Sequence, residues 1–550
     1  MASQLLLLLV VVIVVLFSQS EGATPQNGIQ SACELAPDRK SCESSLSENP
    51  GSLRGGPKDM THIALNMSIS NAQTVGGFIS SDSRRSSMNA KQSQAVDDCL
   101  QLYDLTVYYL TESLSILTDS SLQWKDAVDI QSYLSAALTS QITCLDGLNE
   151  ANIDLHLLSF TDHVPNASRS VSNSLAIVEK LFIRAMKSSK TSVHSRRLLS
   201  DAHQVDHEPL DDDFSSWLSG EDRRLLLQTV AGVNLTGNMV TVARNGSGDY
   251  TTITDAINAV ANKSANRSVI YVTAGVYEEY VSVASNKYNI MLIGDGKDVT
   301  VITGNRSFVD GSTTFNSATL ATTGKGFLAR DLTIENTAGA IKHQAVALRV
   351  GADLSAFYRC SFKGYQDTLY VHSLRQFYRE CDIYGTVDYI FGNSAVVFQN
   401  CTLLARTPLT GQQNVFTAQG RTDPNQNTGI SIHGCKVTAA PDLVPVMSSV
   451  RTYLGRPWKE YSRTVYMQSY LDSLIQPAGW LEWNGTFALS TLYYGEYGNQ
   501  GPGSNTSQRV TWPGYHVMNT TDAQNFTVTN YIFGDSWLPA TSIPYNGDLF

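Results

Sequence analysis

The sequence predicts a mainly β protein: a right-handed parallel β-helix preceded by an all-α four-helix bundle. Three observations carry that reading. Upstream, apolar residues step by three and four, whereas from Val242 onward short β-rich runs alternate with Gly, Asn and Asp. Downstream, a cysteine-containing repeat recurs at Cys360, Cys381 and Cys401, a spacing of 21 and 20 residues that matches one coil of a solenoid. The charge is also divided. Of the net −11 carried by 550 residues, −1 falls from Leu226 onward and −10 upstream, as expected for two pieces with different tasks. An acidic balance of this size argues against nucleic acid as a partner.

The elements follow in order. Residues 1–22 read as a secretory leader. Leu5 to Phe17 is an unbroken apolar run, shorter than the ~20 residues of a membrane helix, with Ser20 and Gly22 spaced for cleavage near Ala23. No later segment is apolar enough to span a bilayer, so no membrane partner is expected. Sequons such as Asn66, Asn166, Asn234, Asn305 and Asn400 agree with export, as do eight cysteines in two groups of four.

Residues 23–190 form the helical piece. Val96, Cys99, Tyr103, Val107, Leu110 and Leu114 make one stripe. Ala127, Ile130, Leu134, Ala137, Gln141 and Cys144 make a second, and Val171, Leu175, Val178, Phe182 and Ala185 a third. Short links between such helices imply an antiparallel bundle. Cys99 begins one helix and Cys144 ends the next, which makes them neighbours, and Cys33 and Cys42 are placed to close a small loop. Asp97 and Asp98 do not face one another on a helix and read as surface charge. A bundle without a catalytic constellation is an interaction module. Residues 191–227 form a polar linker with two copies of Arg-Arg-Leu-Leu, at 196–199 and 223–226, placed as targets for a processing protease.

Residues 228–550 form the solenoid. Cys360, Cys381, Cys401 and Cys435 sit at related places in its repeat, where each can meet a neighbour above or below. No cysteine or histidine cluster has metal-ligand spacing. Asp367 and Asp388 are 21 residues apart and lie among aromatic and aliphatic residues, so they should occupy successive coils. Two desolvated carboxylates in register divide into one neutral and one ionised group, a general acid and a nucleophile or base. Alone, either would more often be a structural acceptor. Gln344 and Gln366 can donate to a developing oxyanion, though an inward glutamine ladder is the plainer reading. Arg456 can clamp a carboxylate, and Trp458 offers a flat face to a sugar ring.

At these residues the chain resembles the plant pectin methylesterases made with an inhibitor-like pro-region. The matching segments are Gly275–Glu279, Gln344–Leu348, Gly364–Tyr370, Asp388–Gly392 and Leu454–Trp458, in family order; Tyr389 departs from the family's more usual Phe. The resemblance implies that Asp388 attacks the methyl-ester carbonyl of a galacturonate unit in cell-wall pectin. It implies that Asp367 protonates methanol and then activates water, that Gln344 and Gln366 steady the oxyanion, and that Arg456 holds Asp388. Thr314, Gln344, Arg456 and Trp458 would contact the polysaccharide. A disulfide between Cys381 and Cys401 is implied, and neither metal nor organic cofactor. The implied partners are pectin, the chain's own pro-domain, a processing protease and proteinaceous pectinesterase inhibitors. Two alternatives stay open: another pectin-active β-helix enzyme of the polygalacturonase or pectate lyase type, and a non-catalytic pectin-binding scaffold. A lyase would usually need a calcium-binding acidic cluster, which is not evident.

Overall fold

The computed structural model describes residues 25–49, 55–81, 87–119, 122–154, 158, 160, 162–185 and 239–550. The leader and the linker with both Arg-Arg-Leu-Leu copies lie outside the described residues.

Four long helices build the bundle: Pro57–Ser81, Ala90–Thr118, Trp124–Glu150 and Val164–Val178, the last running on as a π-turn over Glu179–Arg184. Three follow the predicted stripes. The Pro57–Ser81 helix has no comparable stripe, because its buried face mixes Leu65, Val75 and Ile79 with Thr61, Ser68, Ala64 and Ala72. Asn89 starts the second long helix with a capping box: its side chain accepts from Gln92 N while the Gln92 side chain reaches back to Asn89 N. Disulfides join Cys99 to Cys144 across two antiparallel helices and Cys33 to Cys42 between the short helices Pro25–Ala32 and Arg39–Ser47.

From Met239 the chain winds into a right-handed β-helix of three parallel sheets, with 11, 7 and 8 strands. Each coil is stacked on the last by parallel pairing, as in Leu348↔Leu369 and Leu369↔Ile390. Phe357, Tyr378 and Phe398 stack inside with ring centroids 4.7 and 4.6 Å apart. The register belongs to this interior ladder, not to the Phe-Tyr-Arg text of the repeat. Phe357 pairs with Tyr378 rather than Phe377, because Arg359, Glu380 and Asn400 each turn the chain through a left-handed residue just before the cysteine. Residues 520–541 fold into short helical turns that cover the outside of the largest sheet.

The implied Cys381–Cys401 disulfide is absent: Cys360, Cys381, Cys401 and Cys435 are all buried free thiols. Parallel in-register strands hold equivalent side chains side by side at about 4.8 Å, whereas a bridge wants Cβ atoms about 3.8 Å apart. The thiols instead donate to backbone carbonyls of the preceding coil, Cys381 to Phe357 O at 3.5 Å and Cys401 to Tyr378 O at 3.4 Å. Among the described residues, no helix is long and apolar enough to cross a membrane.

Candidate active site

The seven-stranded sheet forms the floor of a groove along the β-helix. In the strands Leu348–Val350, Leu369–Val371 and Ile390–Gly392, alternate residues point into the core and out to the groove. The outward ladder runs Arg349, Tyr370, Phe391 by strand register, and the Tyr370 and Phe391 rings stack at 4.2 Å. Trp458 stands edge-on to Phe391 at 6.0 Å. Its seat requires Gly420, since a Cβ there would lie 2.8 Å from the Trp458 ring.

Asp367 and Asp388 sit two residues before paired positions, at the same place on successive coils, and Asp367 N donates to Val387 O at 3.1 Å. Both have left-handed backbones, φ 61° and 50°. That conformation is costly for residues with a Cβ, and short polar side chains tolerate it best. The two side chains meet different surroundings. Arg456 donates to both oxygens of Asp388, Nε to Oδ1 at 2.8 Å and Nη2 to Oδ2 at 2.7 Å. This planar fork favours a carboxylate over a carboxylic acid. The Arg456 guanidinium also lies over the Trp483 ring, 4.4 Å from its centroid. Asp367 receives no such fork. Burial first, then the charge of Asp388 and then Glu150, push it well above the ordinary carboxylate range, against the pull of Arg456. The two carboxyl groups are thus treated unequally, Asp388 held in a cationic fork and Asp367 desolvated and raised.

Gln344 and Gln366 flank the pair, with neighbouring backbones joined by Ala345 N to Gln366 O at 3.2 Å. Gln366 Oε1 is buried without a hydrogen-bond partner, and so is Thr314 Oγ1. Asp367, Asp388, Gln366 and Arg456 thus come together on neighbouring coils, with Trp458 beside Phe391 and Thr314 beneath Glu150 of the bundle.

The helical bundle is laid over this groove. Glu150 accepts from Thr314 N at 3.2 Å, and Asp146 pairs with Lys459 at 2.6 Å. Asp98 accepts from Thr313 Oγ1 at 2.5 Å and from Asn316 Nδ2 at 2.9 Å. Asn393 Nδ2 donates to Thr139 Oγ1 at 2.8 Å, and Thr143 Oγ1 meets His372 Nε2 at 3.0 Å. Tyr370 and Phe391 share one apolar cluster with Leu102, Tyr109 and Leu138 of the bundle. Asp98 is thus a buried contact, not the helix-surface charge expected of Asp97-Asp98. The residues not anticipated are Arg349, Lys459 and Trp483. A charge between Leu348 and Val350 in an otherwise apolar strand was the signal for Arg349; nothing local marks Trp483. Among the described residues, no group of three or more His, Cys, Asp or Glu is arranged to hold a metal ion.

Residues 239–535 match the pectinesterase family, and residues 27–177 match the plant invertase/pectin methylesterase inhibitor family. A probable pectinesterase/pectinesterase inhibitor 41 of Arabidopsis thaliana is 48% identical over 548 residues, covering 96% of this chain and 95% of its own. Pectinesterase 2 of Citrus sinensis is 46% identical over 556 residues and covers the whole of both chains. Among solved structures, the pectin methylesterase from carrot is 59% identical over 57% of this chain and 99% of its own, with a TM-score of 0.57.

Proposed function

The chain belongs to the pectinesterase family and carries an inhibitor-family domain ahead of the esterase, and from that premise we propose how its residues divide the hydrolysis of pectin methyl esters. Asp388, ionised in the fork of Arg456, attacks the methyl-ester carbonyl of a galacturonate unit. The carbonyl π electrons move onto oxygen, where the amides of Gln344 and Gln366 donate to the oxyanion. Collapse expels the methoxy group, which takes the proton of Asp367 and leaves as methanol. Asp388 is now joined to the sugar carboxyl as an acyl-enzyme. Asp367, left ionised, removes a proton from water as it attacks the acyl carbon; the bond to Asp388 breaks and returns the Asp388 carboxylate, Asp367 is protonated again, and the galacturonic acid formed gives its remaining proton to solvent as it departs. Trp458 and Thr314 hold the polysaccharide along the groove.

The observation that carries this reading is the unequal treatment of two carboxylates on adjacent coils: Asp388 forked by Arg456, Asp367 desolvated and without a cation of its own. A glycosidase also employs paired carboxylates, but the match to the pectinesterase family favours acyl chemistry, in which the Nε2 amide group of Gln366 has an oxyanion to donate to. Methanol release from methyl-esterified pectin tests the assignment. Asp388→Asn is expected to lose at least about a thousandfold in kcat; release at the wild-type rate would remove Asp388 from the role.

We infer further that the bundle silences the enzyme. It fills the groove, placing Glu150 against Thr314 and beside Asp367, so substrate and bundle compete for one surface. Cleavage in the 191–227 linker would release it. The reading includes secretion to the cell wall, where pectin lies. A chain with both Arg-Arg pairs replaced by Ala-Ala should emerge uncut and inactive; full activity of the uncut chain would contradict the inhibitory role.

A further inference from the structure

One Asn-x-Thr sequon, Asn484-Gly485-Thr486, stands at the rim of the active site. Its loop leaves the β-helix just after Trp480. Leu481 N donates to Gly455 O at 3.0 Å, which roots the loop beside Arg456, and Ala488 is buried where the loop returns. Between these anchors every residue from Glu482 to Phe487 is exposed. Phe487 N donates to Asn484 O at 3.2 Å and closes a tight turn over the sequon. Gly485 takes the left-handed conformation this turn requires, φ 55°, and a Cβ built on it would meet nothing within 4 Å. The turn therefore projects into open space. By contrast, Asn66 and Asn525, also in sequons, point Nδ2, the atom to which a glycan is joined, back to the carbonyls of His62 and Thr521.

Two aromatic rings flank Asn484. With the bundle docked, Trp483 is 37% exposed and Phe487 40%. Exposed rings so close together mark a surface that something covers. The Arg456 guanidinium lies over Trp483, 4.4 Å from the ring centroid, and Arg456 is the fork that holds Asp388. The open part of the Trp483 ring is one residue from Asn484. That is within reach of the first sugars of a glycan, whose rings offer apolar faces to an aromatic side chain. Since these residues stay exposed beneath no part of the bundle, glycan and bundle fit on one chain.

We propose that Asn484 carries an N-linked oligosaccharide whose inner sugars lie on Trp483 and narrow that rim of the groove for a long pectic chain. This rests on the reading of a secreted esterase and deepens it. A bond forms between Asn484 Nδ2 and the anomeric carbon of an N-acetylglucosamine carried by a lipid-linked oligosaccharide. The bond from that carbon to the donor's pyrophosphate oxygen breaks, the pyrophosphate leaves with the electron pair, and the amide gives up one proton. The glycan denies the polymer the aromatic surface beside Arg456 and leaves the fork on Asp388 untouched. It acts on the binding of long substrates and not on the chemistry.

The test begins with the full chain secreted from plant cells. Mass spectrometry of the peptide containing Asn484 should find it glycosylated in most copies; a bare Asn484 in the secreted chain overturns the proposal. Thr486→Ala and Asn484→Gln each remove the acceptor, whereas Thr486→Ser keeps it. In the enzyme freed of its bundle, loss of the glycan should lower KM on long pectin about threefold and hold kcat within about twofold. Kinetics on a methyl-esterified trimer, too short to reach the rim, should be unchanged, and Thr486→Ser should match the wild type. If the unglycosylated variants are not secreted, endoglycosidase trimming of the folded wild-type enzyme should shift KM on long pectin in the same direction. An equal change on polymer and trimer, or none on either, overturns the proposal. Failure of the catalytic assignment would show instead as methanol release surviving Asp388→Asn with the glycan in place.

Discussion

Two buried arginines beneath the bundle are served very differently. Arg375 donates to Asp353 with Nε at 3.0 Å and Nη2 at 2.6 Å, and its Nη1 reaches Asp129 at 2.7 Å. Arg349 has two nitrogens with no partner at all. The same contrast runs through the carboxylates. Asp388, within the β-helix, has both oxygens in the fork of Arg456. At the surface between bundle and β-helix, burial pushes Asp98, Asp146 and Glu150 up, beyond what their partners offset. Within the β-helix Asp353 and Asp388 have their cations, whereas the joint between the domains, although Asp129 meets Arg375 there, leaves several charges incomplete. A surface built to be parted and to hold a polyanion is expected to look like this; a permanent core is not.

The largest effect should come from breaking a charge pair on the completed side. Arg456→Leu leaves Asp388 buried without its cation, a loss of about 3–5 kcal/mol for such pairs. Methanol release should fall by a hundredfold to a thousandfold in kcat/KM, with the bundle still able to dock. A change confined to KM would place Arg456 in substrate binding alone.

The joint itself should respond to pH. With the bundle docked, Asp98 is raised from the ordinary 3.8 to about 6, chiefly by burial. A group whose pKa is higher docked than free takes up a proton on docking. Its contribution is complete below about 3.8 and is lost as pH rises through about 6. Asp146 and Glu150 shift in the same direction, against Lys459 and the Thr314 hydrogen bonds respectively. After the linker is cut, the bundle should hold about a hundredfold more tightly at pH 4 than at pH 7. Dissociation rates across that window check this, and Asp98→Asn should flatten part of the slope.

How much of this was legible beforehand depended on whether a residue's task was local. The 21-residue spacing placed Asp367 and Asp388 on successive coils, because parallel stacking repeats every position. Three helices showed apolar stripes, but the Pro57–Ser81 helix did not, since serine, threonine and alanine fill much of its buried face. Spacing also brought the four solenoid cysteines together and yet gave no sign that their thiols stay free, because that turns on the parallel course of their Cα–Cβ bonds. Asp98 could not be told from a solvated helix residue, as its burial depends wholly on Thr313 and Asn316, more than 200 positions away. Arg456 was legible as a clamp from its motif, whereas Trp483, against its outer face, carries no pattern of its own.

The smallest expected effect lies inside the completed half, at Tyr389. Tyr389 is fully buried, with its hydroxyl unpartnered above the interior of the coil. Tyr389→Phe should stabilise the β-helix by about 1 kcal/mol with little change in kcat, read by thermal unfolding. Destabilisation would show that the hydroxyl is paired after all.

The division of charge between the two aspartates is tested most directly by following their carboxyl carbons, isotopically labelled, through a pH titration of the full chain by NMR. One aspartyl signal, identified by its disappearance in Asp367→Asn, should remain protonated well above pH 4, and should titrate lower when Asp388→Asn removes the neighbouring charge. If the Asp367 carboxyl ionises near its ordinary 3.8 and ignores the change at Asp388, the neutral acid required for methanol to leave does not exist and the account fails.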